Sequence, residues 1–192
     1  EYKGVEIALF EAYVGAAGCM GVLEELFAAG VEKLVLFGTC GVLDRSIGDC
    51  GIIIPTVALR DEGASFHYAP PSDEIEVNPK YRKEFIEILD HHQCTYTLGK
   101  VWTTDAFYRE TAEKMERRKA AGCVCVDMEC SAVAALARFR GKDVFHFFHA
   151  SDNLDGGEWE AWSLSQDANI TGKDKAALLA LELAARIAER ED

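Results

Sequence analysis

The chain has 192 residues and a formal net charge of −13 at pH 7. This length indicates one domain with a sizeable core, and the negative charge argues against nucleic acid or an anionic membrane surface as a partner, because both need a cationic footprint. The seven cysteines are scattered through apolar segments without disulfide-framework spacing, which is typical of free thiols in a reducing compartment. We therefore expect a cytoplasmic protein that binds neither nucleic acid nor membrane.

Strands and helices alternate along the chain. Compact apolar runs predict strands at residues 4–10, 32–37, 50–59, 95–104, 123–126 and 143–150. Helical patterns lie between 16 and Gly30 with the glycine as C-cap, from Asn78 and Pro79 as N-cap and first residue, and over 105–122, 132–139 and 173–190. Alternation of this kind indicates an α/β sheet covered by helices on both faces.

Three of the predicted strands end in polar signatures. These are GTCG at 38–41, DMEC at 127–130 and SDNLD at 151–155. In open α/β sheets, ligands bind beyond the carboxyl ends of the strands. We expect the functional site where these strand ends meet.

The segment Gly38-Thr39-Cys40-Gly41 can cradle a phosphate group with free backbone N–H groups and the Thr39 hydroxyl. The same glycines are also what a plain strand-to-helix turn requires. The motif alone leaves both interpretations open.

The acids Asp127 and Glu129 bracket Met128 between a buried strand and a buried helix. A carboxylate at a strand end can accept hydrogen bonds from two vicinal hydroxyls, as acidic residues do for a ribose, and a thioether gives the sugar an apolar floor. The alternative is an acid that complements the dipole at a helix start, which suits Asp127 well and Glu129 passably.

Asp152 follows a strongly apolar strand and precedes further acids. A carboxyl crowded by apolar residues and other acids can have a raised pKa and act as a general acid, although a turn-forming aspartate is the simpler interpretation. Phe107 and Tyr108 can stack on a flat heterocycle or belong to the core. His91, His92 and Cys94 lack a second ligand pair at matching spacing, so we expect no metal site.

Taken in this order, GTCG, RDEGASFHYAP (60–70), TTDAFY (103–108), VDMECSA (126–132) and SDNLD resemble the nucleoside phosphorylase and nucleosidase superfamily. This group includes purine nucleoside phosphorylase, uridine phosphorylase and the methylthioadenosine/adenosylhomocysteine nucleosidases. The resemblance implies a three-layer α/β/α domain of the phosphorylase/hydrolase-like type around a twisted mixed central sheet. It also implies assembly as a homodimer or as a hexamer, a trimer of dimers.

The resemblance further implies that six residues bind the nucleoside: Phe107, Tyr108, Val126, Asp127, Met128 and Glu129. Glu129 would hold the ribose hydroxyls with Met128 beneath the sugar, and the two aromatic residues would lie against the base. Gly38 and Thr39 would contact inorganic phosphate, which is the co-substrate, and no other cofactor is implied. Asp152 would protonate a purine leaving group at N7.

The chain departs from the family pattern at three places. Leu36 stands where phosphorylases of this family usually carry a phosphate-binding arginine, and nucleosidases lack that arginine too. The residues that read uracil in uridine phosphorylases are replaced by RETAE at 109–113. The resemblance places three further features before Glu1: the N-terminal strand, its glycine-rich phosphate loop, and a phosphate-binding arginine that each subunit contributes to its partner. Residues 1–192 are therefore expected to form a single domain that lacks them.

We therefore predict phosphorolysis of a purine nucleoside to free base and ribose 1-phosphate. One alternative is hydrolysis of the same bond, as in the methylthioadenosine/adenosylhomocysteine nucleosidases, which Leu36 favours. Another is a uridine phosphorylase. An alternative outside the enzymes is a nucleoside-binding protein with a degenerate site.

Overall fold

The computed structural model describes residues 1–156, 158–164, 169–188 and 190. Within these residues one mixed sheet has the strands β1 Lys33–Val42, β2 Ile52–Asp61, β3 Glu74–Glu76, β4 Tyr96–Thr104, β5 Cys123–Asp127 and β6 Asp143–Asn153. The α-helices are α1 Ala16–Ala28, α2 Arg82–His91, α3 Ala112–Ala120, α4 Cys130–Arg140 and α5 Ile170–Ala188. In the described part of the chain, each helix is too short or too polar to cross a membrane.

The sheet is mixed, as predicted, and it also curls back on itself. β1 pairs in parallel with β6 and antiparallel with β5, while β4 pairs in parallel with β5 and β2. The short β3 lies antiparallel on β2. β2 then pairs antiparallel with β6 through Ile52 and Ile53, so β2, β4, β5, β1 and β6 form a closed circuit.

Apolar side chains hold helices to two sides of this sheet. On one side Phe85 of α2 and Leu183 of α5 are completely buried with Phe145 and Phe147 of β6. On the other side, residues of α1 and α4 form a second cluster with Leu34 of β1. A third cluster includes buried residues of all five strands of the circuit. The predicted α/β architecture with helices on both faces is confirmed.

The strand predicted at 4–10 is wrong. The segment has one isolated bridge, between Tyr2 and Val5, and residues 6–14 carry no regular secondary structure. Leu9 is 80% exposed. An apolar run becomes a strand only where a neighbouring strand shares its backbone hydrogen bonds, and no described strand does so here.

Two predicted helix starts are also wrong. Asn78 is not an N-cap: its buried amide bonds the carbonyl oxygens of Pro55 and His146 at 3.0 and 2.7 Å, and α2 begins four residues later. The predicted helix at 105–122 begins at Ala112, because the Thr111 side chain caps it by accepting from the N–H of Lys114.

Candidate active site

Three strand ends meet at Gly41 of β1. A shift in the β1–β6 register at Cys40 and Gly41 places Gly41 opposite Asp152, and on its other side Gly41 pairs with Val126 of β5. A Cβ on Gly41 would lie 3.2 Å from Oδ2 of Asp152 and 3.3 Å from Val126. β5 runs antiparallel to β1, yet the two strands touch through their carboxyl ends, so the polar signatures converge as predicted.

Asp127 is buried at this meeting point and fixes the start of α4. Its Oδ2 accepts the backbone N–H groups of Glu129 and Cys130 at 2.8 and 2.6 Å, and its Oδ1 accepts the Thr103 hydroxyl at 2.7 Å. Burial, followed by the charge of Glu129, raises the pKa of Asp127 to about 7, although these hydrogen bonds favour the ionised form. The helix-start interpretation of Asp127 is confirmed by this geometry.

Glu129 makes its hydrogen bond elsewhere. It is the N-cap residue of α4 without capping that helix with its side chain, and its Oε1 instead accepts the backbone N–H of Gly15 at the start of α1. Burial raises the pKa of the Glu129 carboxyl, while the Gly15 N–H acts in the opposite direction. The carboxylate therefore lies between two helix N-termini, and the half-buried Met128 lies between the two acids.

Asp152 lies near the end of β6 with donors on both carboxylate oxygens. The Ser151 hydroxyl donates to Oδ1 at 2.9 Å, and the indole N–H of Trp159 donates to Oδ2 at 2.9 Å. Glu110 lies within electrostatic reach: burial, and then the charge of Asp152, raise the pKa of Glu110 to about 7. Glu110 directly follows the turn that contains Phe107 and Tyr108. The sequence did not predict that Glu110 lies near Asp152, because this proximity arises only from the fold.

The residues expected to contact phosphate lie within β1, not in a turn after it. The ladder with β6 continues through Gly38, Thr39 and Cys40, so the predicted turn is wrong: the paired strand simply extends to Val42. Thr39 is exposed, and no described atom lies within 4 Å of the position that a Cβ on Gly38 would occupy. Leu36 packs against the cluster formed by α1 and α4.

Phe107 and Tyr108 form a short 3-10 turn after β4, not the start of α3. Their ring centroids are 4.1 Å apart, and their exposed fractions are 48% and 89%. The core-packing interpretation is therefore wrong, and both rings are available to a flat ligand. Thr103, four residues earlier, joins this segment to Asp127.

A buried polar network behind the site was not predicted from the sequence. The Glu62 carboxylate accepts the Ser131 hydroxyl at 2.9 Å and the Ser65 N–H at 2.8 Å, and the Ser131 N–H donates to Thr103 Oγ1 at 3.1 Å. It connects the loop after β2 with α4 and β4. The polar RDEG segment could have indicated it, but the pairing of Glu62 with α4 requires the fold.

Comparison with known proteins adds sequence and structural relatives. The guanosine phosphorylase of Halorubrum lacusprofundi is 31% identical over 177 residues, which cover 90% of this chain and 72% of that protein. A DeoD-type purine nucleoside phosphorylase of Bacillus cereus is 26% identical, over 82% of this chain and 68% of that protein.

Solved structures of similar fold include enzymes that act on nucleosides or nucleotides, by the names they carry. The crystal structure of uridine phosphorylase from Vibrio fischeri superposes with a TM-score of 0.82 at 26% identity, covering 96% of this chain and 77% of that one. AMP nucleosidase from Bacteroides thetaiotaomicron shares the fold with a TM-score of 0.75 at 17% identity, covering 92% of this chain and 69% of that one. The profile of the phosphorylase superfamily matches residues 1–186, and with this match the chain belongs to that superfamily.

Proposed function

We propose that the protein cleaves the N-glycosidic bond of a purine nucleoside with inorganic phosphate, giving the free base and ribose 1-phosphate. The observation that carries this proposal is the convergence at Gly41 of the strand ends that bear Asp127, Glu129 and Asp152. The named phosphorylases among the relatives support the reaction class.

Glu129 is proposed to bind the 2′- and 3′-hydroxyls of the ribose. An ionised carboxylate has about four lone-pair sites, of which the backbone N–H groups of Gly15 and Met128 use two, so two sugar hydroxyls can still donate to it. These donors favour the ionised form against the burial that raises the pKa of Glu129. Met128, beside it, supplies the apolar floor beneath the sugar.

Asp152 is proposed to protonate the leaving purine at N7. Loss of the base creates a ribosyl centre of oxocarbenium character and leaves negative charge on the base, so a proton at N7 lowers the barrier. A purine offers N7 as the acceptor and a pyrimidine does not. The exposed rings of Phe107 and Tyr108 are the proposed stacking surface for the base.

Gly38 and Thr39 are proposed to contact phosphate, which attacks C1′. The open space beside Gly38 and the exposed Thr39 side chain support this assignment. The second candidate is hydrolysis of the same bond, which one observation favours: Leu36 is apolar and packed in the α1–α4 cluster, where it supplies no charge for an anion. The chain is further proposed to work without a metal, as a homodimer or hexamer, in the cytoplasm.

Chromatography of guanosine, inosine, adenosine and uridine after incubation with the protein, with and without phosphate, tests the reaction. Phosphorolysis predicts base release only with phosphate, accompanied by ribose 1-phosphate. Release of base and free ribose without phosphate would replace the proposal by hydrolysis, and preference for uridine would contradict the purine assignment. Unchanged base release after treatment of the protein with EDTA is the result expected without a metal. Size-exclusion chromatography with light scattering tests whether the protein is a homodimer or a hexamer.

A further inference from the structure

Trp159 contacts the acid of the proposed reaction from outside the motifs discussed above. Its indole N–H donates to Oδ2 of Asp152 at 2.9 Å, although 59% of the residue is exposed. Because most of the Trp159 side chain is exposed, burial of its ring does little to hold it beside the Asp152 carboxylate. The conformation of the surrounding backbone must therefore keep it in this position.

The loop that carries Trp159 is fixed at its base by β6. The backbone groups of Asn153 and Glu160 bond each other in both directions at 2.9 and 3.0 Å. The Asn153 side-chain amide also donates to the Glu160 carboxylate at 2.7 Å. Trp159 therefore directly precedes a residue locked to the strand that bears Asp152.

Two cations from other elements anchor the same loop. Arg45, just after β1, donates to the carbonyl oxygen of Asp155 at 2.9 Å, and Lys119 of α3 binds the Asp155 carboxylate at 2.7 Å. A Cβ on Gly156 would lie 2.2 Å from the Arg45 guanidinium, so the absence of a side chain at Gly156 leaves the space that the Arg45 side chain occupies. The loop is thus tied to three elements of the fold.

The charge environment of Asp152 gives the indole N–H a chemical role. Burial raises the pKa values of Glu110 and Cys40, the charge of Asp152 adds to this rise, and neither of these two neighbours carries positive charge. Among the described residues, the hydrogen-bond donors to the two oxygens of Asp152 are Ser151 and Trp159. A hydrogen bond to a carboxylate strengthens as negative charge develops on it.

We propose that Trp159 is a positioning residue that stabilises Asp152 as it gives up its proton. This inference rests on the proposed function. In the step concerned, the O–H bond of the Asp152 carboxyl breaks and an N7–H bond forms on the purine, while the electron pair stays on the carboxylate. The indole N–H supports the negative charge left behind, so it acts on the proton transfer and not on the binding of the nucleoside.

A pair of substrates isolates this step. Guanosine needs a proton at N7, whereas 7-methylguanosine already carries positive charge there and leaves without one. The measured quantity is the ratio of kcat for guanosine to kcat for 7-methylguanosine, in saturating phosphate. If guanosine is not the purine nucleoside that the wild-type protein cleaves, inosine and 7-methylinosine replace this pair, and failure to cleave any purine nucleoside would contradict the proposed function rather than the role of Trp159.

Trp159→Phe keeps an aromatic ring and removes the N–H, and the ratio is expected to fall about tenfold. Trp159→His restores a ring N–H and should recover part of the ratio. The matched control is Trp162→Phe, a partly buried tryptophan of the same segment that packs against the strand core and should leave the ratio unchanged. Circular dichroism checks that each variant is folded.

A Trp159→Phe ratio within about threefold of wild type would overturn the proposal, since the indole would then act on both substrates alike or on neither. Equal ratios in the Phe and His variants would also overturn it. A fall greater than about threefold, with recovery by His, would support the assignment.

Discussion

Gly41→Ala tests how closely the three strand ends must approach. The added Cβ would lie 2.3 Å from Cδ1 of Leu154, 3.2 Å from Oδ2 of Asp152 and 3.3 Å from Val126. The Leu154 methyl is the end of a flexible side chain and can rotate away. The other two neighbours must each move by a few tenths of an ångström, and one of them is the proposed general acid.

Overpacking of this kind costs about 1–3 kcal/mol, and the lower chain entropy of the unfolded alanine variant offsets about 0.4–1 kcal/mol of that. We therefore expect a net loss of about 1–2 kcal/mol in the free energy of unfolding. Because the carboxylate of Asp152 is displaced, kcat is expected to fall about tenfold or more.

Gly38→Ala is the matched control in the same strand, because no described atom lies within 4 Å of its new Cβ. It should keep or slightly raise stability, and if Gly38 contacts phosphate it should raise the KM for phosphate more than it lowers kcat. Urea unfolding gives the stability of both variants, and steady-state kinetics gives the other quantities. Equal urea midpoints for the two variants would refute the packing argument.

Three further predictions concern the acids of the site. Asp152→Asn should lower kcat for guanosine about 100-fold or more while calorimetry shows nearly unchanged nucleoside binding, and wild-type turnover would contradict the general-acid role. Glu129→Gln should weaken guanosine binding about tenfold and 2′-deoxyguanosine binding less, and equal losses would argue against contact with the 2′-hydroxyl. The pKa of Asp127 is about 7 in the folded protein against an ordinary value of 3.8, so its contribution to stability is present at low pH and is lost as the pH rises from about 3.8 to about 7. The whole loss amounts to about 4 kcal/mol, of which about 3 kcal/mol falls between about pH 5 and about pH 8. Asp127→Asn should remove up to that part, and urea unfolding of both proteins at about pH 5 and about pH 8 measures it. An identical change in stability between the two pH values for both proteins would show that Asp127 is not its source.

The sequence was sufficient for the fold class and for the convergence of the three polar strand ends. The spacing of apolar residues and the positions of glycine and proline predicted most elements, since a short continuous apolar run such as 143–150 is typical of a buried strand. The family resemblance added the layer order. The convergence of GTCG, DMEC and SDNLD was also predictable, because each lies at the end of a buried strand. The match to the phosphorylase superfamily confirms the family prediction.

The features that could not be predicted from the sequence depend on contacts between segments that are distant along the chain. The closure of the sheet through Ile52 and His149 has no local signal, because pairing partners are set by the whole topology. Asn78 is a residue type that favours the N-cap position. In the folded protein its side-chain amide instead donates to the carbonyl oxygens of Pro55 and His146, which lie in two different strands. Glu110 and Trp159 lie near Asp152 only because the segment between β4 and α3 and the loop after β6 both approach it.

The two acids that bracket Met128 illustrate how one strand end serves both structure and chemistry. Asp127 saturates its carboxylate with Thr103 and two N–H groups of α4, which leaves it little capacity for a ligand. Glu129 accepts the backbone N–H groups of Gly15 and Met128 and has the capacity for further donors. The buried aspartate therefore fixes the helix, and because the helix is fixed, the neighbouring glutamate is held at α1 with its remaining lone pairs available. This division is a reason for two acids at one strand end in the core: one orients the backbone, and the other keeps lone pairs for the proposed contact with the sugar.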